Sequence, residues 1–203
     1  MSLYPTNPSM GQKLQTDVAG ENVARAYTAH LQWSATEAAA ADTDAVHAAV
    51  TDTGAEVEVT TAITNPPAAR NITATAGGTA GDIKAIQVII EGTNIADEVI
   101  TETLPAFTVD TAGSVVGSKA FKTVTSITIP AHDGTGATTA IGFGDKLGLP
   151  YELSHNTVLF AFLNNTKEGT APTVAVSATA LESNTIDLNS ALDGHVVDAY
   201  LFV

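Results

Sequence analysis

Residues 121–150 read FKTVTSITIPAHDGTGATTAIGFGDKLGLP. The first part, Phe121–Ile129, is threonine, valine and isoleucine almost throughout, and Pro130 stops it. β-branched side chains suit a pleated, half-buried surface, so this run predicts a strand. The loop AHDGTGA follows, with Asp133-Gly134 as a hairpin signal whose glycine supplies a positive φ, and a second strand is expected over Thr138–Phe143. GFGDKLG, residues 142–148, contains Gly-x-Gly, but its third glycine falls one position late for the dinucleotide fingerprint and Pro150 follows, so no helix opens there to hold a phosphate. The stretch is strand and turn, with no nucleophile, base or metal cage.

The same texture recurs outward in both directions. Further strands are expected over Glu56–Thr60, Asn71–Ala76, Asp82–Glu91, Glu98–Leu104, Thr157–Leu163, Thr173–Thr179 and His195–Val203. Between them lie turn signals: Asn65-Pro66-Pro67, Gly77-Gly78, Gly92-Thr93-Asn94 and Pro105. TAGSVVGSK, residues 111–119, reads as a loop. Val88-Ile89-Ile90 predicts burial on both faces. VLFAFL, 158–163, predicts a buried strand with Val158, Phe160 and Phe162 on one face and Leu159 and Leu163 on the other. Glu98 and Glu102 fall on one face of their strand, read as its solvent side. They stand roughly 13 Å apart at ~3.3 Å per residue, too far for a glycosidase pair. The fold expected is mainly β: an antiparallel β-sandwich or jelly-roll-like barrel.

The N-terminal part differs. Residues 1–33 are expected to form an arm, extended or partly helical, because Pro5, Pro8 and Gly11 interrupt it and only Val23, Tyr27 and Leu31 keep a helical spacing. Trp33, the only tryptophan, reads as the core anchor where arm meets domain. The sandwich domain is expected over 34–203, with 34–54 as a lead-in. Within it SATEAAAADTDAVHAAV, residues 34–50, predicts one short helix: Ser34 and Glu37 make a capping box, the alanines favour helix, and Asp42-Thr43-Asp44 interrupts it.

Composition narrows the function. Eight Lys and Arg stand against 22 Asp and Glu, a formal net charge of −14. Such a surface repels phosphate backbones and anionic membranes, so neither nucleic acid nor membrane is an expected partner. No cysteine is present, which excludes disulfides, thiolate metal sites and cysteine catalysis. Residues 1–17 hold no apolar core of signal-peptide length. The sequons at Asn71 and Asn164 read as coincidences of a threonine-rich chain.

Candidate chemistry is sparse. The five histidines, His30, His47, His132, His155 and His195, show no helical metal spacing. His132 beside Asp133, and Asp193-Gly194-His195, read as turns rather than acid–base sites. Ser154-His155 lacks an orienting acid, and no nucleophile elbow occurs. The loop carboxylates Asp82, Asp110 and Asp133 are of the type that could build a calcium site. No catalytic, cofactor or metal-binding residue is assigned, and no cofactor is expected.

Three blocks carry a resemblance: ITNPPAARNITATAGGTAGDIKAIQVIIEGTNIADEVITETLPAF, then GSKAFKTVTSITIPAHDGTGATTAIGFGDKLGLPY, then NTIDLNSALDGHVVDAYLFV. Together they resemble a group of tailed-bacteriophage and prophage virion structural proteins over roughly residues 40–203. The resemblance implies a non-enzymatic capsid decoration (cement) or head-fibre protein, made in the bacterial cytoplasm and displayed on the particle. The expected partners are the major capsid protein or neighbouring virion proteins and copies of the chain itself, a trimer ahead of a dimer. The alternatives are a receptor- or carbohydrate-binding module of a tail or head fibre, recognising a host-surface glycan, and behind it a glycan-degrading enzyme. The apolar ending VVDAYLFV adds an expectation of its own: this strand is central in its sheet or covered by another subunit.

Overall fold

A computed structural model describes residues 13–15, 22–24 and 27–203. In chain order the strands are β1 Lys13–Gln15, β2 Asn22–Ala24, β3 Thr28–Trp33, β4 Asp42–Thr51, β5 Val57–Val59, β6 Arg70–Gly78, β7 Ile89–Thr93 and β8 Val99–Thr103. They continue with β9 Gly113–Phe121, β10 Thr123–Ile129, β11 Ala137–Gly148, β12 Val158–Leu163, β13 Thr166–Lys167, β14 Thr173–Ala175, β15 Thr185–Asp187 and β16 Val197–Phe202. The fold is mainly β and antiparallel, as the sequence predicts. Its helical content among the described residues is two single 3₁₀ turns, Ala80–Asp82 and Leu181–Ser183. Among the described residues no helix is long and apolar enough to cross a membrane.

Strand β11 organises the molecule. One edge pairs with β6 from Ala137 to Leu147. The other is shared, by β4 along Thr138–Phe143 and by β15 at Leu147–Gly148. The sheet order is β14-β15-β11-β6-β9, with β4 added on β11. A second sheet, β5-β10-β7-β8, packs on the β4/β6/β9 half through Ile72, Ile141, Phe121, Ile90, Ile127 and Leu104, all fully or nearly fully buried. A third, β13-β12-β16-β3, packs on the far end of β11 through Trp33, Leu147, Leu149, Ile186, Val197 and Leu201. The glycines of GFGDKLG permit this crowding: a Cβ on Gly142 would lie 1.8 Å from the Asp42 carbonyl oxygen, and one on Gly144 2.6 Å from Asn71. They are close-approach residues inside a strand.

Several expectations need correction. The capping box of Ser34 and Glu37 forms, with Ser34 N–H and Oγ both donating to Glu37 Oε2. These bonds hold Glu37 below the usual carboxylate range. It nucleates one turn only, closed by Ala38 N–H on the Ser34 carbonyl. The chain then runs without regular structure over residues 39–41, and Asp42–Thr51 is strand β4, because pairing with β11 and burial of Val46 outweigh a propensity worth a few tenths of a kcal/mol per residue. The arm boundary at 33 is also displaced. Residues 28–33 are β3, paired along their whole length with β16, and Tyr27 exchanges both backbone bonds with Val203. Trp33 is buried in the third sheet's core, as expected of an anchor. Of the earlier residues only the antiparallel pair β1–β2 is described.

TAGSVVGSK is largely strand β9, not a loop, and Gly117 within it is required by contact: a Cβ there would meet Glu102 at 2.7 Å and the Ile72 carbonyl at 2.8 Å. Over Asp82–Glu91 the ladder begins only at Ile89. Residues 83–88 instead receive spaced bonds from Leu104, Phe107 and Asp110 N–H. Val88 and Ile90 are buried while Ile89 is exposed, so this strand has one core face. Thr173–Thr179 is strand only to Ala175. The chain beyond wraps around the buried Asn184 side chain, which donates to the Ser177 and Ala180 carbonyls. In the 133–134 turn neither residue has a positive φ; Gly134 is needed because a Cβ would lie 2.4 Å from the Asp82 carboxylate. Finally, β16 lies between β12 and β3, with Val197, Ala199 and Leu201 buried. The strand of the apolar ending is therefore central in its sheet, the first of the two outcomes expected of it, with Phe202 left exposed at its end.

Candidate functional site

The buried ionisable side chains separate the structural ties from the site. Arg70, fully buried, donates from Nε to the Gly144 carbonyl at 2.8 Å and from Nη1 to the Ala39 carbonyl at 2.6 Å, with its guanidinium over the Phe143 ring. Burial pushes it down to about 10, against the pull of Asp145, so it stays charged at neutral pH. Glu102 lies on the buried face of β8, not its solvent face. Its Oε1 accepts from Ser118 N–H at 2.7 Å, Ser118 Oγ at 2.8 Å and Lys119 N–H at 3.3 Å, where the β6–β9 register shifts and frees those donors. Asp52 accepts from His132 N–H and Gly54 N–H. His132 Nδ1 accepts from Lys84 N–H at 3.2 Å, so Nε2 carries the proton and donates to Thr139 Oγ1 at 3.0 Å. Burial holds His132 below the ordinary histidine value, with Asp52 and Asp133 pulling partly back. Each of these groups is bonded to backbone and holds loops to strands.

The other sequence candidates stay apart or stay structural. Asp82, Asp110 and Asp133 do converge: Asp133 N–H donates to the Asp82 carbonyl and Asp110 N–H to that of Ile83. Two of the three carboxylates are otherwise engaged, Asp82 with Gly136 N–H and Asp133 with Lys84. Among the described residues no group of three His, Cys, Asp or Glu is placed to hold a metal. Gly194 has φ +80°, so Asp193-Gly194-His195 is a turn, with the Asp193 carboxylate drawn down by its bond to His195. Ser154 and His155 bond to each other at 3.0 Å on the surface, with no carboxylate on the other histidine nitrogen among the described residues. Asn71 is fully buried, which removes its sequon from reach of modification in the folded chain.

Asp198 is the exception. It is buried, 8% exposed, yet its partners are side chains only: Oδ1 lies 2.6 Å from His30 Nε2 and accepts from Gln32 Nε2 at 3.0 Å. Two donors on one carboxylate oxygen fix the His30 proton on Nε2. These residues stand on the outer face of the third sheet. The register places Phe160, Tyr200 and His30 in one row and Phe162, Asp198 and Gln32 in the next. His30 stacks on Tyr200 at 4.5 Å between centroids, nearly parallel. Phe160 is tilted against Tyr200 at 5.2 Å, and Phe162 stands edge-on to both, 6.0 Å from Tyr200 and 5.7 Å from Phe160. A cavity of about 340 Å³ opens here, lined by His30, Gln32, Phe162, Asn165, Asp198 and Tyr200. A larger one, about 410 Å³, lies between Trp33, Pro66, Pro67 and Ile95, but its ionisable residues are committed elsewhere, Glu37 to Ser34 and Lys122 to Asp97.

No family model, curated protein or solved structure matches this chain. The site is therefore defined by its geometry. Sequence reasoning missed it for two reasons. VLFAFL was assigned to the core, whereas only Ala161 of it is buried and Leu159 is exposed. His30 and Gln32 were assigned to the arm. The available signal was the alternation in TAHLQW and VDAY, where apolar Ala29, Leu31, Val197 and Ala199 face the core and the intervening residues face out.

Proposed function

We propose that this protein is a non-enzymatic structural protein of a tailed-phage particle, of the capsid decoration or head-fibre type. The observation that carries this reading is the use of buried charge in the sandwich. Arg70, Glu102, Asp52 and His132 are all spent on backbone groups, which makes short loops rigid and leaves none of these four poised for catalysis. A net charge of −14 keeps copies apart until assembly and is consistent with a role in which nucleic acid is not a partner. Attachment to the capsid is assigned to the chain preceding Tyr27. Among the described residues β3 ends its sheet, and its outer edge is the natural place for a neighbouring subunit or capsid strand to add. The homo-oligomer, a trimer ahead of a dimer, is proposed on the resemblance alone.

The test is co-sedimentation with purified capsids, together with immunogold labelling of particles. The full chain is expected to sediment with capsids and to label heads. A chain beginning at Tyr27, which retains β3, is expected to fold and not to sediment. Labelling confined to tails, or absent from particles, would overturn the proposal.

A further inference from the structure

We propose that the outer face of the third sheet is a binding site for a neutral hexose residue of a glycan, centred on Asp198. The proposal stands on this face and does not depend on where in a particle the protein resides.

Asp198 is the starting point. A buried carboxylate held only by half-exposed side chains contributes little to folding, since its neighbours are free to find water instead. The arrangement does fix the carboxylate's orientation. His30 and Gln32 both occupy Oδ1, and Oδ2 has no partner among the described residues, on a side chain that lines the cavity. An oriented acceptor takes a hydroxyl of a sugar at full strength without first losing rotamer freedom. Gln32 spends its NH₂ on Asp198 and keeps its carbonyl oxygen, and Asn165 brings a complete amide. Hydroxyl groups, which both donate and accept, match this mixture of acceptors and donors.

The aromatic side of the cavity supplies the other half. A pyranose ring has an apolar C–H face and a polar rim, so it needs an apolar surface beside polar groups. Phe162 and Tyr200 line the cavity together with Asn165 and Gln32, and their mutual packing with Phe160 holds them in place. At about 340 Å³ the cavity lies at the low end of the ~300–1,000 Å³ of small-molecule sites, suited to a sugar ring rather than a folded partner. Charge selects within the class. With a carboxylate at the centre and −14 overall, sialylated, phosphorylated and uronic-acid glycans are disfavoured.

The test uses the full-length protein, displayed multivalently on a glycan array and then titrated in solution by NMR with the monosaccharides of the spots it binds. Neutral hexose glycans are expected to bind and acidic ones to fail. The side-chain amide signals of Gln32 and Asn165 are expected to shift on titration. Asp198→Asn is expected to weaken binding at least tenfold with an unchanged circular-dichroism spectrum. Should that variant fail to fold, Gln32→Ala, at an exposed position, is expected to weaken binding several-fold. Absence of any neutral glycan from the array hits overturns the proposal. So does binding that leaves both amide signals unmoved, or binding restricted to amino sugars, which would make the face a cation site.

Discussion

The two halves of the molecule use the same architecture to different ends. Where the second sheet covers β4, β6 and β9, aliphatic side chains close a core around Phe107, Phe121 and Phe143, and the buried Arg70, Glu102, Asp52 and His132 are bonded to backbone. Where the third sheet covers the end of β11, only the inner face is core. Its outer face carries Phe160, Phe162 and Tyr200 half-buried, Phe202 exposed, and a carboxylate tied to side chains. Polar groups bonded to backbone hold a fold in one conformation. Polar groups bonded to each other on a surface hold a shape for something else to meet. The contrast is sharp enough to be broken by substitution.

The largest effect is expected at Arg70. Arg70→Ala removes the donors of the Gly144 and Ala39 carbonyls and leaves a void against Phe143. A loss of about 3–5 kcal/mol in urea unfolding is expected, the cost of stripping one side from a buried charged network. A loss below about 1 kcal/mol would mean that the sandwich half is no more tightly specified than the third sheet.

Next come the two faces of the third sheet. Leu201→Ala, on the inner face, is expected to cost about 2–5 kcal/mol. Phe160→Ala, on the outer face, gives up edge and tilted ring contacts, with Lys167 also over its ring, and is expected to cost about 1–2 kcal/mol. Equal losses measured by chemical denaturation would show that the outer face is core after all.

A smaller effect is expected from pH. His132 is held below the ordinary histidine value by burial, so in the folded chain it resists protonation. Above about pH 6.5 both folded and unfolded chains carry it neutral and it contributes nothing to the pH dependence. As pH falls below that, the unfolded chain takes up the proton first. Stability then declines until the depressed folded value is reached. His132→Gln keeps an acceptor for Lys84 N–H and a donor for Thr139, and is expected to flatten this decline between pH 7 and 5. An identical slope in variant and wild type would assign the decline to other groups.

How much of this the sequence disclosed follows from what each segment depends on. Most of the strand expected over Phe121–Ile129, and that over Thr138–Phe143, were legible because their strand character is local: β-branched residues, period two, and a proline stop; Phe121 itself closes β9, and β10 begins at Thr123. The segment 42–51 was not, because alanine and aspartate favour helix or turn and only the distant β11 makes them a strand. TAGSVVGSK was misread because glycine marks turns in sequence, while Gly117 is there for a close approach by Glu102, itself placed by another strand. The site was the least legible. Its rows join positions 30–32, 160–162 and 198–200, and the short-range pattern of each gives only one column.

The smallest expected effect is the most discriminating. Asp198→Asn keeps the size and one acceptor oxygen while removing the charge. If Asp198 were a structural tie like Arg70, the change would unsettle β3 against β16 and cost several kcal/mol. His30 is 45% exposed, however, and Gln32 is exposed, so both can exchange the lost carboxylate for water. The inner-face residues Val197, Ala199 and Leu201, which hold β16 in place, are untouched. A change within about 1 kcal/mol in either direction is therefore expected in urea unfolding at pH 7. A loss beyond about 3 kcal/mol would place Asp198 with the buried network of the sandwich and remove the distinction between the two halves. Near-neutral stability, by contrast, leaves a buried carboxylate that the fold does not need, on a face where it can meet a ligand.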